Sequence, residues 1–418
     1  MSRPLASALL VLVSTLACAR APRWVVAPAP TREEVEILLE TGRAAQLPPH
    51  TITVREIPDI PVREHLRPCC AFGSELRASI AGLIPIPGYR IPNVLGPEDV
   101  GPHTYDSGIF TTTSDGRASA GFDAEHNALV YTCRGGFIDT AHVRDYVDWA
   151  LFFAAQIGRR AAEGGEIALP DEGGRRRVVV RPLPPELVER YGFKQSVTAL
   201  AQWVAFQASI WHEIATWFGW ASVPGFSERA SAFSPEDLYS NLLGSKLMLA
   251  ITARREALNE FSYNRAVDGW FGRALELLGA VPRGLGNEVT RSLDGLWWDS
   301  SRRVPDPGLV QRRNFGIGDP VRPWLAPEAA LPEGVRNALD EACGADRAPV
   351  VFANPSGVEG ISFGDYVTLE IEVDDALAKQ EPFASRGRQL TQRDFPEIVA
   401  LVREQARVEF GPRVEQPD

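Results

Sequence analysis

The stretch NALVYTCRGGFIDTAHVRDYVDWALFFAAQIGRRAA, residues 127–162, decides the fold. Its opening residues, Asn127 to Cys133, form an apolar run of strand length, and Gly135-Gly136 ends it. From about Asp139 to Ala162 the apolar residues recur at helical spacing over a span too long for a strand. A buried strand handed directly to a long helix points to a mixed fold.

Outward from this stretch the same mixture continues. Residues 61–135 read as short strands cut by Pro and Gly, as in Ile84-Pro85-Ile86-Pro87-Gly88-Tyr89. Downstream, Glu166 to Leu169 and Arg177 to Arg181 flank the turn Asp171-Glu172-Gly173-Gly174, a hairpin pattern. A second long helix runs from about Gln195 to Phe218. Ser234-Pro235-Glu236-Asp237 has the form of a helix start, with Ser as N-cap, Pro at the first helical position and acids behind it. Helical patterns persist to about Trp298. A Pro-rich stretch, 305–332, leads to a tail that reads helix, strand (Tyr366 to Val373), helix (about Arg393 to Phe410). The class is α+β, with a strand-rich N-terminal part, a central bundle of long helices and a small α/β C-terminal segment. The division expected is a main domain over 61–330 and an extension over 331–418.

The first residues have the layout of an export signal. Arg3 supplies a positive start, and Leu5 to Leu16 is an apolar run too short to span a bilayer. Thr15-Leu16-Ala17-Cys18 resembles the lipid-attachment box of bacterial lipoproteins. The expectation is a signal peptide over 1–17, lipid on Cys18 and a Pro-, Ala-, Arg- and Glu-rich tether over 18–60. Several acyl chains on one cysteine anchor a protein stably. Ala19, where an Asp would favour inner-membrane retention, points to the periplasmic face of the outer membrane.

Of the 418 residues, 44% are hydrophobic and 23% charged, an ordinary globular balance. The net charge of −11 argues against nucleic acid as a partner. Setting Cys18 aside leaves Cys69, Cys70, Cys133 and Cys343, an even number in a compartment that permits disulfides. Adjacent cysteines rarely bond to one another, so one of Cys69 and Cys70 is expected to bridge to Cys133.

Two helices carry residues capable of chemistry. In the first, Asp139, His142, Asp145 and Tyr146 share one side. In the second, Trp211-His212-Glu213-Ile214-Ala215-Thr216-Trp217 places His212 on a row with Ala201, Ala205, Ala208, Ser209, Thr216 and Gly219. That row of small residues predicts a tight helix crossing at His212. His-Glu is half of a zincin motif, but Thr216 stands where the second His belongs. A Zn²⁺ site would therefore take His142 and His212 as nitrogen ligands, with oxygen from Asp139, Glu213, Glu236 or Asp237 and Glu213 as general base. The competing reading is that both histidines are core residues hydrogen-bonded to carboxylates. The leading expectation is a metal-dependent envelope hydrolase, with an envelope substrate or protein as its partner. The first rival is a non-enzymatic binding or scaffold lipoprotein.

A second rival is a papain-like cysteine hydrolase. Cys133 ends a strand before a helix, and His126 or His103 could serve as base. Blander readings fit the other runs: Gly101-Pro102-His103-Thr104-Tyr105-Asp106 as a turn, Trp297-Trp298-Asp299 as core, Ser227-Glu228-Arg229 as a solvated loop.

Four runs together carry a resemblance: Arg67-Pro-Cys-Cys-Ala-Phe-Gly73, Cys133 to Asp145, Trp211 to Trp217, and Phe233-Ser-Pro-Glu-Asp-Leu-Tyr-Ser-Asn241. They resemble a family of proteobacterial lipoproteins known as a domain of unknown function, over about residues 60–325. The resemblance implies no activity and carries no catalytic residue across.

Overall fold

The computed structural model describes residues 29–41, 66–67, 71–80, 84–105, 125–222, 227–345 and 347–415. The expected signal peptide, Cys18, Cys69 and Cys70 lie outside the described residues. The architecture is mixed helix and strand, with N-terminal strands, central helices and a small C-terminal sheet segment.

Three short elements precede the deciding stretch. Helix α1 (Arg32–Thr41) falls inside the expected tether, yet Val35 and Leu38 are fully buried in the main core. Strands β1 (Leu76–Ile80) and β2 (Ile84–Ile91) form an antiparallel hairpin, and β3 (Val94–Leu95) runs parallel to β4 (Leu129–Thr132).

The first structural surprise lies in the deciding stretch itself. Gly136 does not merely end β4; it starts β5 (Gly136–Asp139), which pairs back on β4 with Thr132 opposite Gly136. Only glycine fits there. Its φ is +65°, and a Cβ would come within 2.0 Å of the Trp324 carbonyl oxygen. Helix α2 (Thr140–Arg160) follows at once, capped by Asp139, whose Oδ1 accepts the N–H groups of Ala141 and His142. Arg159 and Arg160 close its last turn, where cations favour the helix dipole. It is buried on every side as far as Ala155, as a central helix must be.

The hairpin β6 (Gly165–Leu169) and β7 (Gly174–Val180) comes next, then α3 (Pro185–Tyr191) and α4 (Phe193–Trp217). Helix α5 (Asp237–Ala253) packs with α4 against α2. It starts two residues later than the Ser-Pro-Glu-Asp pattern predicts. Asp237 Oδ2 accepts the Ser234 N–H at 2.8 Å, and the Ser234 hydroxyl is given to Glu236 instead. A close backbone approach is made by α5. A Cβ on Gly244 of α5 would meet the Val143 carbonyl oxygen of α2 at 2.1 Å, so the glycine lets these two backbones touch. Helices α6 (Glu260–Leu277), α7 (Arg283–Ser292) and α8 (Glu333–Cys343) follow.

The C-terminal residues complete the sheet begun by the hairpin. Strand β8 (Val367–Val373) pairs with β7 along its whole length, from Val367 opposite Val180 to Val373 opposite Gly174. The order is β9 (Gln389–Thr391), β8, β7, β6, all antiparallel. Alternation in β7 buries Val178 and Val180 and turns Arg175 and Arg177 outward. Helix α9 (Phe395–Phe410) packs on α4, and Trp217 donates its indole N–H to Gln405.

The disulfide joins Cys133 to Cys343, with Cα atoms 5.7 Å apart. This corrects the expected bridge from Cys133 to Cys69 or Cys70. It also removes the cysteine-hydrolase reading, because a bonded sulfur cannot become the thiolate nucleophile. No helix among the described residues is long and apolar enough to cross a membrane.

Candidate functional site

The cluster assembles where three element ends meet. The β5–α2 junction contributes Asp139 and His142. The start of α5 contributes Glu236 and Asp237. The last turns of α4 contribute His212 and Glu213. Asp139, His142 and Asp237 each offer a ligand atom, all within 4.8 Å of one another. His142 Nδ1 lies 3.2 Å from Asp237 Oδ1.

One pattern recurs in three of the acids. Asp139 gives Oδ1 to two backbone N–H groups, Asp237 gives Oδ2 to Ser234 N–H, and Glu213 gives Oε2 to Phe233 N–H at 2.6 Å. Of the second oxygens, Asp139 Oδ2 and Glu213 Oε1 are buried without a hydrogen bond among the described residues, while Asp237 Oδ1 faces His142 Nδ1 at 3.2 Å. Phe233 holds a left-handed φ of +55°, an uncommon conformation for a bulky residue, while its N–H binds Glu213. Buried carboxylate oxygens are ordinarily hydrogen-bonded; here three carboxyls are oriented by the backbone and two of them keep an open oxygen.

The crowding shows in the proton affinities. Burial, then the Asp139 charge, push the Glu236 carboxyl up to about 8. Burial, followed by the charges of Glu213, Glu236 and Asp139, holds Asp237 well above the usual carboxylate range. Burial also raises Asp139, against the opposing pull of His142. Arg313 lies near, yet its guanidinium donates to the carbonyls of Ala230, Ala232, Pro307 and Val310.

His212 stands at the border of this cluster, outside the group of three. Its ring is edge-to-face with His142, centroids 6.3 Å apart, and a second edge-to-face contact is made with Trp220. Nδ1 sits 2.6 Å from Glu172 Oε1, and Glu172 in turn pairs with Arg176. Burial alone would lower the His212 pKa; the Glu172 carboxylate outweighs it and raises the value to about 9. Glu172 itself is pulled below its usual range, because Arg176 and His212 overcome the effect of burial.

The structure therefore brings together Asp139, His142 and Asp237, with Glu213 and Glu236 beside them. It takes Asp145 elsewhere, to Arg67 at 2.7 Å. His103 lies between Asp148 and Glu125, and His126 Nδ1 is 2.6 Å from the Asp99 carbonyl oxygen. Sequence reasoning missed Glu172 and Arg176. The turn Asp171-Glu172-Gly173-Gly174 gave a signal, since Gly174 at φ +148° shapes the turn that carries Glu172.

The chain belongs to the family described as "Protein of unknown function (DUF4056)", whose model matches residues 57–327. No curated protein and no solved structure matches the chain. The match covers the whole cluster and stops before β8 and β9.

Proposed function

We propose that the protein is a hydrolase that works with a divalent metal ion held by Asp139, His142 and Asp237. The observation that carries this reading is the set of three backbone-pinned carboxyls, two of them with an open, buried oxygen and the third facing His142. Surplus negative charge in a buried site is what a dication neutralises. Two carboxylates and one imidazole are a donor set that suits Zn²⁺ in a catalytic site with an open position. Such an ion would supply an acidified water. Glu213, whose Oε1 is open, would be the residue placed to take a proton beside the ion. His212, oriented by Glu172 and charged at neutral pH, donates a proton to the leaving group. The Thr15–Cys18 run supports lipid anchoring at the outer membrane, which makes an envelope component the substrate. Radiolabelled palmitate should label the wild type and not Cys18→Ser.

The test of the site is metal titration of the full-length protein by calorimetry. Zn²⁺ should bind one equivalent to the wild type, and Asp237→Asn should weaken it by about a hundredfold or more. Absence of saturable binding in the wild type would sink the proposal. A second reading rests on burial: Asp139 and Asp237 are 0% exposed and His142 3%. A closed site favours a structural ion. That reading predicts that chelation lowers the melting temperature and that no metal-dependent hydrolysis appears on ester or amide substrates.

A further inference from the structure

Away from the acid cluster, the β1–β2 hairpin sets two arginines face to face. Arg77 and Arg90 are direct cross-strand partners. Like charges directly opposite each other destabilise a sheet. No acid offsets this pair among the described residues. Arg77 donates to the carbonyl of Ser300, and among the described residues the Arg90 side chain has neither a hydrogen bond nor an ion pair.

The pair borders a cleft of about 430 Å³, which Arg291 and Arg302 also line, together with Glu75 and Asp294. The neighbouring charges are already committed. Arg291 lies 3.2 Å from Glu75, Arg302 pairs with Asp299 and Asp306, and Asp294 accepts the N–H and hydroxyl of Ser300. Arg77 and Arg90 remain as the uncompensated groups on the wall.

We propose that this cleft binds a phosphate group, clamped between the guanidinium groups of Arg77 and Arg90. Guanidinium forks match phosphate oxygens in pairs, and a doubly charged anion turns the cross-strand repulsion into two attractions. The cleft is larger than phosphate alone and within the range of small-molecule sites. The phosphate is therefore the head of a larger ligand, either a soluble phosphorylated compound or a lipid headgroup.

Calorimetric titration of the full-length protein with inorganic pyrophosphate, and separately with short-chain phosphatidic acid below its micelle concentration, tests this. At least one should bind saturably, with affinity falling as salt rises. Tighter binding of phosphatidic acid identifies the lipid headgroup, and tighter binding of pyrophosphate the soluble ligand. Arg90→Gln and Arg77→Gln should each weaken binding about tenfold or more. Arg90→Gln should also raise the melting temperature of the ligand-free protein, because it removes one of two opposed charges. An arginine that only supports the hairpin would give the opposite sign. Two outcomes overturn the proposal: no saturable binding of either probe, or wild-type affinity in Arg90→Gln.

Discussion

Two buried ionic clusters sit on successive turns of α2, and they are built to opposite rules. On the second and third turns, Asp145 and Asp148 join Glu125 around Arg67. The Arg67 guanidinium reaches all three acids and the Thr104 carbonyl, and its backbone N–H adds a further bond to Asp145. His103 and the Tyr263 hydroxyl complete Asp148, and Arg144 stands behind with its guanidinium on Asn127 and three backbone carbonyls. On the first turn, Asp139 joins Glu213, Glu236 and Asp237, with His142 on Asp237 and His212 committed to Glu172. Buried charge is tolerated when it is paired and hydrogen-bonded and is costly otherwise. In the Arg67 cluster each of the three acids has the guanidinium within ion-pair distance. In the first-turn cluster no arginine reaches the acids through a hydrogen bond among the described residues, and Asp139 Oδ2 and Glu213 Oε1 stay open.

The largest expected effect lies in the Arg67 cluster. Arg67→Met would strand three carboxylates in a dry interior. Removing one partner of a buried ion pair costs about 3–5 kcal/mol, a large part of a typical domain's stability. We expect loss of the cooperative thermal transition, or a midpoint far below wild type, by circular dichroism. Melting within a few degrees of wild type would mean that Arg67 is not what holds these acids.

Asp237→Asn should move the metal-free protein the other way. It keeps the side-chain oxygen that serves Ser234 but deletes a carboxyl whose proton affinity burial and the neighbouring acids raise. A higher midpoint in chemical denaturation at neutral pH is expected, because a carboxyl whose folded pKa is raised costs stability above its unfolded value. If the midpoint falls instead, the first-turn cluster is as internally paired as the other, and the contrast fails.

How much of this was legible in the sequence follows from range. Helices α2 and α4 and the hairpin at 165–180 were readable because periodicity and turn residues are local signals. Asp139 and His142 could be placed together because helical spacing joins them. Asp237 could be named only as one oxygen donor among four, because its meeting with His142 is made by a helix crossing. At that crossing Gly244 brings the two backbones together, a contact that the small row on α4 did not reveal. Strand β5 hid inside an apparent turn because four residues carry no period. Pairing of β8 with β7 spans nearly two hundred residues, and the partner of Cys133 proved to be the distant Cys343. Arg67 was unreadable as a core residue, since its burial depends on acids far along the chain.

A smaller effect should appear in the pH dependence of the Arg67 cluster. Burial alone would lower the His103 pKa; Asp148, and then Glu125, outweigh it and raise the value above 6.5. Its contribution is therefore full below about pH 6.5 and is lost as pH rises through the raised folded value. Glu125 behaves oppositely. Burial would raise it, but Arg67 and Arg144 hold it well below 4.5. Its contribution is present above about pH 4.5 and is lost as pH falls through the lowered folded value. The two together contribute most between those limits. His103→Gln should flatten the alkaline decline of the melting temperature and leave the acid limb in place. Identical alkaline limbs in the two proteins would remove His103 from the ionic count of that cluster.

The smallest effect is predicted at the surface of the sheet, where ion pairs of equal length are not buried. Arg175 Nη2 and Glu372 Oε2 are 2.7 Å apart across β7 and β8, matching the Arg67–Asp145 distance, but their side chains are 73% and 38% exposed. When Glu372→Gln removes the acid, Arg175 turns to water without a desolvation penalty. Solvent and salt had already screened the attraction. The melting temperature at physiological ionic strength should stay within experimental error of wild type. A fall comparable to that of Arg67→Met would show that separation alone sets the worth of an ion pair in this fold. The distinction between the Arg67 cluster and the first-turn cluster would then have no energetic basis.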